Sequence, residues 1–490
     1  MAEGSGTGSR SVTLVLRDVT VVDLHARRTV RSCSVHVDGD RIMKVTGPGA
    51  GGDLAGTGTG LAGEDGAHVD VLDCGGRYLL PGLTDVHVHL RAAPHEGPHS
   101  DPRQLAGRSV PSVGDLLPVL HGYLFCGVTS VFDAGNFSTL MWPLREEERS
   151  GRLLSPRIHC AGPFVTCTGG HGSELAESVP VDTLPGDEPQ LRAHLAHRPD
   201  LVKITYDEHN WGIRPLIAIL TPEVLGGIIE IVHGEGLRAT VHVSNELRAR
   251  EAVDRGADAL AHPVIQSPAT EDFVARLASE RVPVASTLAI GERYVRLADH
   301  PDFVDSAMYV YCLSPAERER LRTVEHRTQR TNRWADWMRV MTPVAQENVR
   351  RVVEAGGIVA SGSDLSLGPD LLHELELLQD AGIDPWDVLA SATTSAARYL
   401  GAEEHLGTVE TGKLADLVLV DRDPTTDVSR LTEISMVMKG GQIVDPSSLS
   451  LAGEPSLRSA APGRLSTSNV ATQRSSDSMK VDHEERKDYL

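Results

Sequence analysis

The sequence has few aromatic residues, few lysines, no closely spaced cysteine pair and no long apolar run. Each shortage removes a class of protein. Across 490 residues, Phe, Trp and Tyr together make up 4%, so Val, Leu, Ala and Ile must build the core, as in α/β proteins. The six cysteines, Cys33, Cys74, Cys126, Cys160, Cys167 and Cys312, contain no C-x-x-C pair. That spacing argues against a disulfide framework and a thiolate zinc site and predicts reduced thiols. No apolar stretch approaches the roughly 20 residues of a spanning helix, and Met1 to Arg10 lacks the basic and apolar regions of a signal peptide. A cytoplasmic protein with no membrane partner is expected. Positive charge is scarce as well: 47 Lys+Arg against 68 Asp+Glu leave a net charge of −21, which disfavours nucleic acid as a partner. With 40% hydrophobic residues the chain is globular, and a small-molecule substrate is the expected partner.

The length exceeds one average domain. Residues 1–11 read as a flexible leader. Val12–Asp23 and Ser34–Val45 are β-branched strands, and Ala415–Asp421 and Ile434–Asp445 repeat the apolar alternation near the far end. The pattern predicts a small β-sandwich domain assembled from both N- and C-terminal segments, residues 12–82 and 401–445. The Gly-rich stretch Gly47–Gly66 reads as a mobile surface loop. Between the two halves, short apolar runs alternate with helix-period stretches. The runs are 85–90, 129–133, 157–160, 201–205, 239–243, 257–262, 283–287 and 357–363. Eight such units predict an α/β fold, a TIM (β/α)8 barrel over residues 83–400. Asp302–Val340 carries Tyr309, Tyr311, Trp334 and Trp337 at helical spacing, and reads either as a lid over the barrel mouth or as ordinary helix packing. Residues 446–490 read as a disordered tail, of which 451–490 should be dispensable.

His87 and His89 sit two apart on the first barrel strand, where alternation points both to one side. His242, His262 and Asp364 fall at the C-terminal ends of strands five, six and eight, the face where active sites of such barrels gather. Neutral imidazole and carboxylate suit zinc or a similar divalent ion. Six lysines, at 44, 203, 413, 439, 480 and 487, stand against 41 arginines, and Lys203 lies alone between residues 90 and 400 within Leu201-Val-Lys-Ile204. A buried lysine has its pKa lowered by desolvation, and its neutral amine can react with carbon dioxide to form a carbamate able to bridge two ions. His171, between Gly170 and Gly172, reads either as a group that binds an oxyanion or a substrate carboxylate or as a loop-packing residue. Tyr206, Asp207 and Glu208 border the mouth, as selectors of a cationic group or as a solvated loop.

Tyr78-Leu-Leu-Pro-Gly-Leu-Thr-Asp-Val-His-Val-His-Leu90 resembles the signature of the amidohydrolase superfamily. Gly127–Gly135, Cys167-Thr-Gly-Gly-His-Gly172, Ser391–Arg398 and Gly407–Val418 are similar to segments of the same superfamily. The strand-four lysine, the short spacing of His242 and His262, and the Thr-Gly-Gly-His segment resemble its metal-dependent prolidase, carboxypeptidase and ochratoxinase-like branch. The resemblance implies one ion held by His87, His89 and Asp364, a second held by His242 and His262, and carboxylated Lys203 bridging them. It also implies a homo-oligomer. The sequence departs from the branch at Phe132, where Arg is common, and after Lys203, where small residues are common.

Two divalent ions lower the pKa of a bridging water. The implied reaction is attack of that hydroxide on a carbonyl, with Asp364 passing a proton to the departing nitrogen. The expected substrate is a small acylated amino acid or a dipeptide-like molecule, cleaved at an amide or peptide C–N bond. A mononuclear ring-opening hydrolase or deaminase of the superfamily is the first alternative, and a non-catalytic assembly protein on the same fold is the second.

Overall fold

The computed structural model describes residues 13–47, 69–92, 110–173, 177–209, 216–453 and 471–473. The leader, the glycine-rich loop beyond Gly47 and most of the tail lie outside the described residues. Early and late segments of the described chain enter one nine-stranded sheet. Thr13–Asp23 is its hub: it runs antiparallel to Arg28–Asp38 and parallel to Val69–Asp73 and then to Tyr78–Pro81. Tyr78–Pro81 in turn pairs antiparallel with Leu417–Val420, which pairs with Ile434–Lys439. Strand alternation gives Tyr78–Pro81, Leu417–Val420 and Ile434–Lys439 two buried faces. Leu79, Leu417, Leu419, Met436 and Met438 join the sheet's own core, whereas Leu80, Val418, Val420, Ile434 and Val437 pack against the helical body. The sheet domain is therefore fastened to the body by apolar burial, and Arg157 adds a two-pronged ion pair with buried Asp416, at 2.5 and 3.1 Å.

All eight expected barrel strands are present: Leu83–Val88, Val128–Asp133, Arg157–Cys160, Val202–Thr205, Ala239–His242, Ala259–Leu260, Val284–Ala285 and Val359–Ala360. All pairings among them are parallel. The third strand is divided where Gly162 takes a left-handed φ of 66° before Pro163. Arg157–Cys160 pairs with the second strand, and its continuation Phe164–Thr166 pairs with the fourth. On the other side, the Val86 amide donates to Ser361 O at 3.0 Å and the Asp364 amide to His87 O at 2.7 Å, linking the first strand to the eighth. Val86, Phe132, Leu201, Ala259, Ala285 and Ala360 form one apolar layer with Tyr399 and Leu400. Phe132, which departs from the branch pattern, fills that layer among alanines, so its ring is a packing element.

The insertion between strands seven and eight packs as part of the body. Tyr309, Tyr311 and Trp334 contribute to the main core: Tyr311 lies 4.7 Å from the Phe125 ring and Trp334 stacks on Tyr294 at 5.7 Å. Helix packing, rather than a lid, describes these aromatics. The disordered tail expected from Pro446 is corrected in its first residues, where Leu449 and Leu451 are buried and the Gly453 amide donates to Tyr311 O at 2.9 Å. Further on, Ala471–Gln473 adds a strand beside Val69–Asp73. Truncation after Asp445 removes Leu449 and Leu451, 2% and 5% exposed, and is expected to cost about 3 kcal/mol of stability. Thermal melting beside a chain ending at Gly453 checks this; equal midpoints would show that the two leucines contribute nothing.

Candidate metal centre

Five imidazoles meet in one arc at the strand ends. Ring centroids are 5.4 Å apart for His89 and His87, 4.6 Å for His87 and His262, 4.3 Å for His262 and His242, and 4.1 Å for His242 and His171. His87, His242 and His262 are buried. Burial drives the pKa of each below the ordinary histidine value, furthest for His87 and His262, which favours the neutral, metal-binding form.

Local structure aims these rings. His87 Nδ1 faces Ala261 O and His89 Nδ1 faces Gly135 O, both at 2.9 Å. A carbonyl can only accept, so each Nδ1 carries the proton and leaves Nε2 with its lone pair toward the centre. The His89 Nε2 and His87 Nε2 atoms lie 3.2 and 3.5 Å from Asp364 Oδ1. Donors about 2.0–2.2 Å from a common ion stand about 3–3.5 Å apart, so His87, His89 and Asp364 fit one divalent ion, and their ligand atoms all lie within 4.8 Å of one another. Asp364 reaches this position through a left-handed backbone, φ 54°. Gly362 lets the eighth strand approach, because a Cβ there would sit 2.7 Å from the Cβ of His87. Burial opposes ionisation of Asp364, but His87, His89 and Lys203 outweigh it and hold the carboxyl well below the usual carboxylate range.

Lys203 is 3% exposed and places Nζ 3.2 Å from His87 Nε2. Burial pushes its pKa down to about 8, against the pull of Asp364 and Asp133. Neutral amine is therefore present near neutral pH, as carbamate formation requires. All six residues expected to bind metal, His87, His89, Lys203, His242, His262 and Asp364, thus surround one space. His171 joins them by stacking on His242, and Thr205 Oγ1 donates to His171 O at 3.0 Å.

Sequence reasoning missed several residues that shape the centre. Asp133 accepts from the Leu90 and Gly135 amides at 2.8 and 3.1 Å, fixing the turn whose carbonyl orients His89. Its signal was its place at the end of strand two. Thr287 Oγ1 lies 2.9 Å from His262 Nδ1, and Thr287 is itself held in a left-handed conformation, φ 39°. Fully buried Glu374 accepts from the next two amides, Leu288 and Ala289, at 3.0 and 2.6 Å. No spacing rule links Glu374 to His262. Asp207 overturns the solvated-loop expectation: it is 1% exposed, and its Oδ2 lies 3.4 Å from His242 Nε2. Glu208 forms a two-pronged ion pair with Arg248 at 2.9 and 3.0 Å, and Tyr206 donates to Glu251 at 2.7 Å.

The model of the amidohydrolase family matches residues 78–444, which includes every residue of this centre. The chain belongs to the amidohydrolase family. That placement bears out the expectation of a hydrolase acting on carbon–nitrogen bonds. An uncharacterised protein of Mycobacterium tuberculosis is 24% identical over 377 residues, 76% of this chain and 86% of its own. An imidazolonepropionase of Shouchella clausii is 32% identical over 105 residues, only 20% of this chain and 24% of its own. Among solved structures, a prolidase complexed with N-methylphosphonate-L-proline aligns with a TM-score of 0.67 at 21% identity, covering 88% of this chain and 99% of that one. The ochratoxinase of A. niger aligns at 0.66 with 17% identity, covering 89% of this chain and 96% of that one. These likenesses give the amidohydrolase a TIM-barrel fold with a separate sheet domain. No described helix is long and apolar enough to cross a membrane.

Proposed function

We propose that this amidohydrolase is a binuclear metal-dependent enzyme that cleaves the amide or peptide bond of a small acylated amino acid or dipeptide-like substrate. The observation that carries the proposal is the buried arc of imidazoles with Lys203 Nζ at 3.2 Å from His87 Nε2. A lysine that burial pushes toward neutrality, set among histidines beyond the His87, His89 and Asp364 group, supports a second ion. In this assignment His87, His89 and Asp364 would hold one ion, His242 and His262 would hold the second, and Lys203, if carboxylated, would supply a carboxylate to both. Zinc or a similar divalent metal suits these donors. Such ions supply Lewis-acid polarisation of a carbonyl and a lowered pKa for bound water.

The chain's own residues do the rest. Asp364, ionised and fixed by its left-handed backbone, accepts a proton from the attacking water on a carboxylate oxygen and delivers it to the departing nitrogen. The first strand, linked to the eighth through His87 O, keeps that carboxylate against the two imidazoles. Structural likeness to a prolidase and to a Xaa-Pro dipeptidase supports a substrate of dipeptide size.

The test is elemental analysis of the purified chain together with a screen of N-acyl amino acids and dipeptides. Two ions per chain and hydrolysis of one of these classes are expected; one ion per chain would favour the ring-opening or deaminating alternative. A finer check addresses His262. Thr287→Val keeps the shape of the side chain and removes the oxygen facing His262 Nδ1, and is expected to weaken metal retention by about 10- to 100-fold. Competition with a chelator measures it, and unchanged retention would remove His262 from the ligand set.

A further inference from the structure

The carboxylate of Asp207 has no place in the assignment above, yet it is one of the most deeply buried acids in the molecule. It lies four residues beyond Lys203, where the strand-four segment departs from the family pattern. Its Oδ1 accepts from the His209 amide at 2.9 Å, which holds the side chain inward. Its Oδ2 is buried without a hydrogen-bond partner and faces His242 Nε2 at 3.4 Å. A buried carboxylate oxygen without a donor is strongly unfavourable unless a cation meets it.

Resting on the binuclear proposal, we infer that Asp207 is a carboxylate ligand of the ion on the His242 side, with His171 beside it. Three observations converge. The 3.4 Å separation exceeds a good N–H···O hydrogen bond, about 2.7–3.2 Å. It matches the spacing of about 3.4 Å for two donors about 2.1 Å from one tetrahedral ion. His171, Asp207 and His242 also bring one ligand atom each within 4.8 Å of one another, as do His87, His89 and Asp364 on the other side. Each ion then has one carboxylate of its own, and the added negative charge tightens the hold on the second ion.

The experiment uses the full-length protein loaded with cobalt(II) and bicarbonate, with metal counted after dialysis against a weak chelator and visible absorption recorded. Wild type is expected to retain two ions. Asp207→Asn is expected to retain one, or to release the second about tenfold faster or more, with a changed cobalt spectrum. Asp207→Glu keeps the charge, moves the oxygens by one methylene, and is expected to retain two ions with a shifted spectrum. Should Asp207→Asn not fold, Asp207→Glu carries the test alone, because a wild-type spectrum there overturns the inference. Two ions held by Asp207→Asn with wild-type release and spectrum overturn it as well. So does unchanged metal with KM raised only for substrates bearing a free ammonium group, which would make Asp207 a substrate anchor. Wild type holding a single ion would refute the binuclear proposal, and the same comparison would then judge Asp207 by whether that ion is lost.

Discussion

Replacing Lys203 by alanine is expected to remove one ion per chain and to lower kcat/KM by about 10³-fold, equivalent to about 4 kcal/mol of transition-state stabilisation. Lys203 contributes nothing to solvation, being 3% exposed, and its amine touches the imidazole that also faces Asp364. If a carbamate on that amine joins the two halves of the centre, a small carboxylate diffusing into the vacated space replaces it chemically. Activity of Lys203→Ala should therefore recover in part with added short carboxylic acids, and metal content should rise with it. Elemental analysis and kcat/KM with and without propionate measure both. A variant with unchanged metal content would end the bridging assignment, and loss without rescue would leave Lys203 as a buried structural amine.

Asp364→Asn is expected to lower kcat by about 10³-fold, within the range of a lost general acid–base group, and to loosen the ion on the His87 side. Asparagine is the informative substitution because residue 364 sits at φ 54°. Among residues with a Cβ, Asn and Asp tolerate the left-handed region best. An alanine would confound lost chemistry with backbone strain. Steady-state kinetics and metal counting should show the loss while the melting midpoint of the metal-free protein stays close to wild type. A variant that retains wild-type kcat would exclude Asp364 as the proton carrier.

Much of this centre was legible in the sequence, for physical reasons. Strand alternation makes His87 and His89 point together, and the rule that barrel sites gather at strand ends brings His242, His262 and Asp364 to one face. The isolation of Lys203 among 41 arginines marked it as a candidate for a role that needs a group able to lose its charge. The eight barrel strands were readable because buried parallel strands appear as short apolar runs between amphipathic helices. What alternation could not show was the division of strand three at Gly162–Pro163 or the strand at Ala471–Gln473, since pairing partners depend on which edges meet.

Side-chain partnerships across long separations were equally hidden. Glu374 reaches the amides beside Thr287, Asp133 fixes the turn that orients His89, and Asp207 turns inward against His242 because a tertiary neighbour awaits it. The aromatics of the insertion had a helical period that fits a lid or a packed face equally well. Only contact with Phe125 and Tyr294 decided for packing. The sequence by itself determined the resemblance to the amidohydrolase family, the barrel strands and the candidate donors, because these follow from motif, local periodicity and residue chemistry. The tertiary structure alone decided which donors share a space, which tautomers they hold and which acids are buried, because each depends on atoms brought together from distant parts of the chain.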